Sequence, residues 1–202
     1  MKKRILLLAV AVLLIGCSDD DKSPVSAPFE TTAQTDFAIP DDSEIGIESP
    51  IEVTSDGTIS NPEGISVTVE LNHPFAGDVV VELVTPDGQS MPLIKRIGYG
   101  AAAPFGLESP FAGGNFLVFT SAATTTISTS LTESQAVPGG TYLPTGTNDS
   151  YPTTITMINM HEFLDGKSVA GIWKLRATDH AVGEAGSLLS WKLRFEEGAL
   201  HN

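Results

Sequence analysis

Apolar and polar residues alternate strictly along two segments near the end of the chain. Their apolar positions are Trp173, Leu175 and Ala177, followed by Leu189, Trp191, Leu193 and Phe195. A period of two places these side chains on one face of a strand and the charged ones on the other. We therefore predict two strands of a half-buried antiparallel sheet, with both Trp residues in the core. On periodicity alone, the pair also fits an ordinary edge hairpin of a β-sandwich.

Upstream, residues 51–59 and 65–71 show the same alternation, and further segments are strand candidates from their turn residues or their Thr and Phe content. Strands are predicted over residues 51–59, 65–71, 79–84, 91–97, 115–120 and 124–131. A Pro-Asp-Gly turn at residues 86–88 joins the third and fourth of these strands as a hairpin. Residues 151–160 fit either a strand or an insertion, and the helical period is confined to a short turn at 161–164. Many short strands separated by Gly and Pro predict an all-β fold, a β-sandwich.

Several motifs add detail to this pattern. The final pair of strands reads Gly-x-Trp-x-Leu-x-x-x-Asp from residue 171 and Gly-x-Leu-x-x-Trp-x-Leu-x-Phe from residue 186. Further motifs stand, in order, at 39–41 (IPD), 73–79 (HPFAGDV), 81–88 (VELVTPDG), 140–144 (GTYLP) and 163–168 (FLDGKS). Together they resemble the P domain (P/Homo B domain) of proprotein convertases and bacterial subtilisin-like proteases. The resemblance implies a jelly-roll sandwich of the galactose-binding-like type.

The start of the chain resembles a secretory signal. A basic stretch at residues 2–4 precedes an uncharged apolar run at 5–15, which is too short to span a bilayer comfortably. The run ends in the sequence LIGC, which resembles the bacterial lipoprotein box. That resemblance implies cleavage before Cys17, acylation of this residue by palmitate and similar chains, and insertion of the acyl chains into the lipid bilayer. Ser18 after the cysteine favours the outer membrane of a bacterial envelope.

These features divide the chain into four predicted parts. Residues 1–16 form the lipoprotein signal peptide, 17–37 the lipidated cysteine and a flexible acidic tether, 38–197 the P domain, and 198–202 a tail. The tether is rich in Asp, Ser, Thr and Pro and shows no sustained periodicity. A flexible chain of this length spans about 25 Å, which is enough to lift a domain off the bilayer.

Charge and cysteine content exclude several classes of function. The formal net charge of −14 argues against binding to nucleic acid or to an anionic membrane surface, both of which require basic patches. Removal of the signal peptide makes the charge still more negative. Cys17 is the only cysteine of the chain, so the sequence predicts no intrachain disulfide, no cysteine metal cluster and no cysteine nucleophile.

The chain lacks the motifs of a subtilisin-like active site. A Ser-His-Asp protease of that family carries Asp-[Ser/Thr]-Gly, His-Gly-Thr and Gly-Thr-Ser-Met-Ala boxes, and none of the three occurs here. The histidines are His73, His161, His180 and His201, and their spacing matches no zinc motif. We predict that His73, which lies within a family motif, has a structural role. The chain is therefore predicted not to be an enzyme.

Calcium is the cofactor that the resemblance implies, since some P domains carry it. Hard cations bind several carboxylate and carbonyl oxygens held by loops. The candidate ligands are Asp78, Asp179, Glu184, Asp41 and Asp42. Turn-forming carboxylates without an ion explain the same residues. The family often has an acidic run before a Thr-rich strand, whereas this chain reads FTSAA at 119–123.

Three functions fit the sequence. The first is a non-catalytic, membrane-anchored lipoprotein that binds a protein partner or has a structural role in the cell envelope. The second is an accessory or stabilising domain for a subtilisin-like serine protease in trans. The third is a carbohydrate-binding module. Because aromatic residues make up 7% of the chain and both Trp are assigned to the core, Tyr99, Tyr142 and Tyr151 are its remaining stacking candidates.

Overall fold

The computed structural model describes residues 28–99, 105–127, 134–145 and 159–201. These residues form eleven strands, one short α-helix and one turn of 3-10 helix at Pro62–Gly64. The strands are β1 (Phe29–Ile39), β2 (Ser43–Val53), β3 (Thr58–Ile59), β4 (Ile65–Asn72), β5 (Val79–Val84), β6 (Ser90–Lys95), β7 (Leu117–Phe119), β8 (Gly140–Tyr142), β9 (Gly171–Asp179), β10 (Gly186–Phe195) and β11 (Leu200–His201). The helix α1 spans Met160–Leu164.

Two main sheets build a β-sandwich. The first has the order β1-β10-β4-β7-β8 and the second the order β2-β9-β5-β6, while β3 and β11 form a small separate pair. All named strand pairs are antiparallel except β7 with β8. The all-β sandwich predicted from the sequence is confirmed. The jelly-roll arrangement of its strands stays a prediction.

The last two long strands lie in opposite sheets. β9 is a central strand between β2 and β5, and β10 is a central strand between β1 and β4. The edge-hairpin interpretation is therefore wrong, and the segment between them is a crossing from one layer to the other. Trp173 of β9 and Trp191 of β10 are fully buried between the sheets, as the alternation predicts.

Both Trp side chains satisfy their one polar group inside the core. The Trp173 indole N–H donates to the carbonyl oxygen of Val169 at 2.8 Å, and that of Trp191 donates to Ser49 Oγ at 3.0 Å. Phe195 of β10 meets the edge of Trp173 with ring centroids 6.2 Å apart. A buried N–H group without a hydrogen bond destabilises the folded state. These two bonds therefore allow both indole rings to fill the core without leaving such a group.

The prediction that Leu189 lies on the core face of β10 is wrong. A register shift in the pairing of β10 with β4 lies between Leu188 and Ser190. The extra residue of a bulge reverses the facing of the positions before it. Leu188 is therefore fully buried, whereas Leu189 is half-buried.

The other strand predictions are mostly correct. β4 shows the expected alternation, and β5 and β6 pair as the predicted hairpin. Of the strand predicted over 124–131, Thr126 makes an isolated bridge to Leu143, and residues 128–133 lie outside the described part of the chain. Met160 starts α1 instead of ending a strand, because Asn159 caps the helix by accepting the His161 N–H. Residues 151–158 are also outside the described residues.

The folded domain starts earlier than the sequence predicts. β1 pairs with β10 from Phe29 opposite Phe195 to Ile39 opposite Gly186. Ile39 is fully buried, and the Phe29 ring stacks on Phe195 at 4.6 Å. The predicted tether at 17–37 is therefore wrong for residues 29–37, which belong to β1. Their few hydrophobic side chains stand among polar residues and give no clear alternation. Residues 17–27 lie outside the described part of the chain.

The role of β1 can be tested with two shortened chains that begin at Pro28 and at Pro40. We expect the first to melt like the full chain. The second loses the burial of Ile39 and Phe29, worth about 3 kcal/mol together, which lowers the melting temperature by roughly 6–12 °C. Thermal unfolding followed by circular dichroism measures this difference. Equal melting temperatures for the two forms would show that β1 is not part of the stable domain.

Candidate functional site

A buried His–Asp pair joins the two sheets at one end of the sandwich. His73 follows β4 and Asp179 ends β9, and His73 Nε2 lies 3.0 Å from Asp179 Oδ2 with both side chains fully buried. The Phe75 N–H donates to His73 Nδ1 at 3.1 Å, and the Ala181 N–H donates to Asp179 Oδ1 at 3.1 Å. His73 Nδ1 also lies 2.9 Å from the Phe75 carbonyl oxygen, so both imidazole nitrogens have partners. Asp179 is thus the partner of His73 in its predicted structural role.

The pair has no catalytic geometry. A His–Asp pair in a serine protease presents its free imidazole nitrogen to a nucleophile. Here the second imidazole nitrogen faces the backbone of Phe75, and neither His73 nor Asp179 is accessible to a substrate. The pair instead fixes the segments that follow β4 and β9.

Two glycines allow the backbone to pack closely around this pair. A side chain at Gly186 would come within 2.5 Å of His73 Cδ2, so only glycine fits where β10 passes the imidazole. A side chain at Gly77 would come within 2.3 Å of the carbonyl oxygen of Phe105. Arg96 Nε also donates to the Gly77 carbonyl at 2.7 Å. These contacts explain why glycine stands in the motifs at 73–79 and 186–195.

The loop from His180 to Ala185 is held at two points. The Gly183 N–H donates to both carboxylate oxygens of Asp41, at 2.9 and 3.1 Å. The His180 N–H donates to the Asp78 carbonyl at 2.9 Å. Burial, and then the nearby Arg96, lower the pKa of His180, whose imidazole lies 3.0 Å from Thr178 Oγ1. The loop is therefore tied to both neighbouring segments.

A pocket of about 460 Å³ opens beside this loop. It is lined by Phe75 and Asp78 from the turn before β5, by residues 105–108, and by residues 181–184. Its three ionisable side chains are all acidic: Asp78, Glu108 and Glu184. Phe105 and Val182 expose 75% and 81% of their surface. The pocket thus combines negative charge with an apolar rim, and we call it the acidic pocket.

Asp78 is the unusual residue of the acidic pocket. It is only 6% exposed, and its carboxylate makes no hydrogen bond or ion pair with any described residue. Burial, and then repulsion by Asp179, raise the pKa of Asp78, against the attraction of His73 and Arg96. A buried carboxylate without a partner destabilises a fold.

The structure brings together some of the predicted calcium ligands. Asp78, Asp179 and Asp41 lie around the same loop, but both Asp179 oxygens and both Asp41 oxygens already accept hydrogen bonds. Glu184 is exposed at the acidic pocket, and Asp42 is exposed in the β1–β2 turn. In the described part of the chain, no three His, Cys, Asp or Glu side chains are grouped to hold a metal ion. Calcium binding stays a prediction from the resemblance.

The aromatic residues considered for sugar binding are mostly engaged. Tyr142 is buried and donates its hydroxyl to the Pro138 carbonyl at 2.9 Å, and Tyr99 lies under the guanidinium of Arg96 at 3.8 Å. Tyr151 and Cys17 are outside the described residues. No exposed Trp offers a stacking surface in the described chain, since both Trp are in the core.

Sequence reasoning missed three pocket residues: Phe105, Glu108 and Val182. The signal available was a large apolar side chain next to glycine, at Phe105-Gly106 and Val182-Gly183, in segments without alternation. Because these segments do not alternate, no core face is predicted for such a residue, and we expect its side chain at the surface. The distance in sequence between the two segments concealed that they share one pocket.

The fold and site define a β-sandwich domain whose end loops form an acidic pocket. The proprotein convertase P-domain family model matches residues 62–105 and 141–195, which include the His73 motif and the His180–Ala185 loop. The chain belongs to this family.

Two curated relatives contain sequence similar to this chain. Leupeptin-inactivating enzyme 1 of Streptomyces exfoliatus is 27% identical over 173 residues, which cover 85% of this chain and 27% of the enzyme. Transglutaminase-activating metalloprotease of Streptomyces mobaraensis is 36% identical over 75 residues, or 37% of this chain and 9% of the protease. The chain therefore spans about a quarter or less of the curated relatives it matches.

A solved structure of related outline is the serine protease of Aeromonas sobria in complex with the chaperone ORF2. It is 18% identical, with a TM-score of 0.46 over 89% of this chain and 28% of that chain. The same protease without the chaperone gives 17% identity and a TM-score of 0.44.

Within the described residues, no helix has the length and apolar character needed to cross a membrane.

Replacing Asp78 by Asn should stabilise the domain at neutral pH. The raised pKa means that the native state keeps a proton that the unfolded state releases above the ordinary value of 3.8. Wild-type stability therefore falls as the pH rises through this range, and the neutral amide removes that loss. We expect a melting temperature roughly 2–4 °C higher at pH 7, with little difference below pH 3.8.

Calorimetry of both proteins between about pH 3 and about pH 7 measures this effect. Asp56→Asn is the matched control, because Asp56 is an exposed carboxylate outside the acidic pocket. A lower melting temperature for Asp78→Asn at pH 7 would mean that the carboxylate has a stabilising partner.

Proposed function

We propose that this chain is a non-catalytic accessory module that binds a protein partner, and that the partner is a subtilisin-like serine protease supplied in trans. Membership of the P-domain family is the observation that carries the proposal. The names of both curated relatives describe enzymes that act on peptides or proteins, and each is much longer than this chain. The acidic pocket, with its exposed Phe105 and Val182, offers a surface for such a partner.

The non-catalytic part of the proposal follows from what the residues do. None of the three subtilisin boxes occurs in the sequence. The described His–Asp pair is sealed in the core and is used to join the sheets. Binding without chemistry is the role that an exposed pocket on a rigid scaffold supports.

A thermal-shift experiment tests the protease as partner. The probe is a subtilisin-like protease without a P domain of its own, encoded next to this protein. We expect an excess of this chain to raise the melting temperature of the protease, because a ligand that binds only the native state stabilises it. A subtilisin-like protease that carries its own P domain is the control and should not respond. If the first protease neither shifts nor co-purifies with this chain, the assignment of the partner is wrong.

We also propose that acylation of Cys17 anchors the protein in a bacterial envelope, in the outer membrane. The support is the LIGC sequence after an apolar run, and the Ser at position 18. Several acyl chains on one residue give stable anchoring, whereas a single chain gives marginal binding.

Membrane fractionation tests the anchor. Cys17→Ser should move the protein from the membrane pellet to the soluble fraction, because no acylation site remains in the chain. Ser18→Ala is the matched control and should stay in the pellet. Cys17→Ser protein that remains in the membrane fraction after a salt wash contradicts lipid anchoring.

A further inference from the structure

We propose that the acidic pocket receives one Lys or Arg side chain from a protein partner, with the cationic group on Asp78 and the flanking apolar residues on the rim. This inference rests on the proposed protein-binding role and names the chemistry that the partner presents. Two independent features of the pocket support it: an unpaired buried carboxylate and a matched apolar rim.

The charge in the pocket calls for a cation. Asp78, Glu108 and Glu184 are its ionisable lining residues, and none of the lining residues is basic. The nearest cation, Arg96, donates its Nε to the Gly77 carbonyl and places its guanidinium over the Tyr99 ring. A cationic side chain entering from outside finds three carboxylates and no competing charge on the walls.

Asp78 is placed to make the decisive contact. The residue is 6% exposed and lines the pocket, and no hydrogen bond or ion pair joins its carboxylate to a described residue. An ion pair at a buried position loses little to solvent screening, whereas pairs with the exposed Glu108 and Glu184 add little. Burial is also the first cause of the raised pKa of Asp78.

The rim favours a protein side chain over a metal ion or a small amine. Phe105 and Val182 are among the most exposed large apolar residues of the described chain, and both border the pocket. A Lys or Arg side chain lays its alkyl stem along apolar surface while its charged end reaches a carboxylate. Residues beside it on the partner then cover Phe105 and Val182. A metal ion uses neither apolar residue, and the described side chains supply no group of three ligands.

Calorimetric titration of the full chain in detergent micelles tests this inference. The probes are capped Leu-Lys-Leu and Leu-Arg-Leu peptides, with capped Leu-norleucine-Leu as the control that keeps the alkyl stem without the ammonium group. We expect both cationic peptides to bind and the norleucine peptide to give no measurable binding. Asp78→Asn should weaken binding of the Lys peptide at least tenfold, which is about 1.4 kcal/mol.

Two further variants complete the test. Glu184→Gln, at an exposed loop position, should weaken binding only about two- to threefold, and Asp56→Asn, which makes the same charge change outside the pocket, should leave it unchanged. Equal binding of the Lys and norleucine peptides, or full binding by Asp78→Asn, overturns the inference. Calcium chloride alone is a further arm, and calcium binding that depends on Asp78 and displaces the Lys peptide also overturns it.

The outcome is separable from that of the proposed function. If the protease binds and Asp78→Asn leaves its affinity unchanged, the pocket inference fails while the accessory role stands. If the Lys peptide binds through Asp78 while the protease does not bind, the pocket inference stands and the protease is the wrong partner.

Discussion

The buried hydrogen bond between His73 and Asp179 is the contact on which the pocket end of this domain depends. It links the end of a strand in one sheet to the end of a strand in the other. Each of the two residues then fixes the backbone two positions further along, at Phe75 and Ala181. Phe75 and Ala181 both line the acidic pocket. A polar pair sealed in the core thus determines the shape of a surface that it does not touch.

The β-sandwich could be predicted from the sequence because the alternation of apolar and polar residues is a local signal. β4 follows the period of two closely, and so do the stretches of β9 and β10 that carry the two Trp residues. What alternation cannot give is which sheet a strand joins, so β9 and β10 looked like a hairpin. β1 was missed for a related reason. It is an edge strand with many polar, exposed side chains, and among those whose burial is described only Ile39 is fully buried.

The site was only partly predictable. The motif at 73–79 and the loop after Asp179 supply candidate calcium ligands in the sequence, with turn-forming carboxylates as the alternative and a structural role predicted for His73. In the structure, the carboxylate oxygens of Asp179 and Asp41 contact His73 and backbone N–H groups. Carboxylates that accept such bonds and carboxylates that bind a cation look alike in a sequence. Burial distinguishes Asp78 from the exposed candidates Asp42 and Glu184.

The direction of β1 gives the domain two unlike poles. Its first residue, Phe29, lies beside the end of β10, and its last residue, Ile39, lies beside the start of β10, next to the loop from His180 to Ala185. An eleven-residue strand separates these poles by about 30 Å at the usual rise per residue. The chain therefore enters the described domain at Phe29, one full strand length away from the loop that lines the acidic pocket.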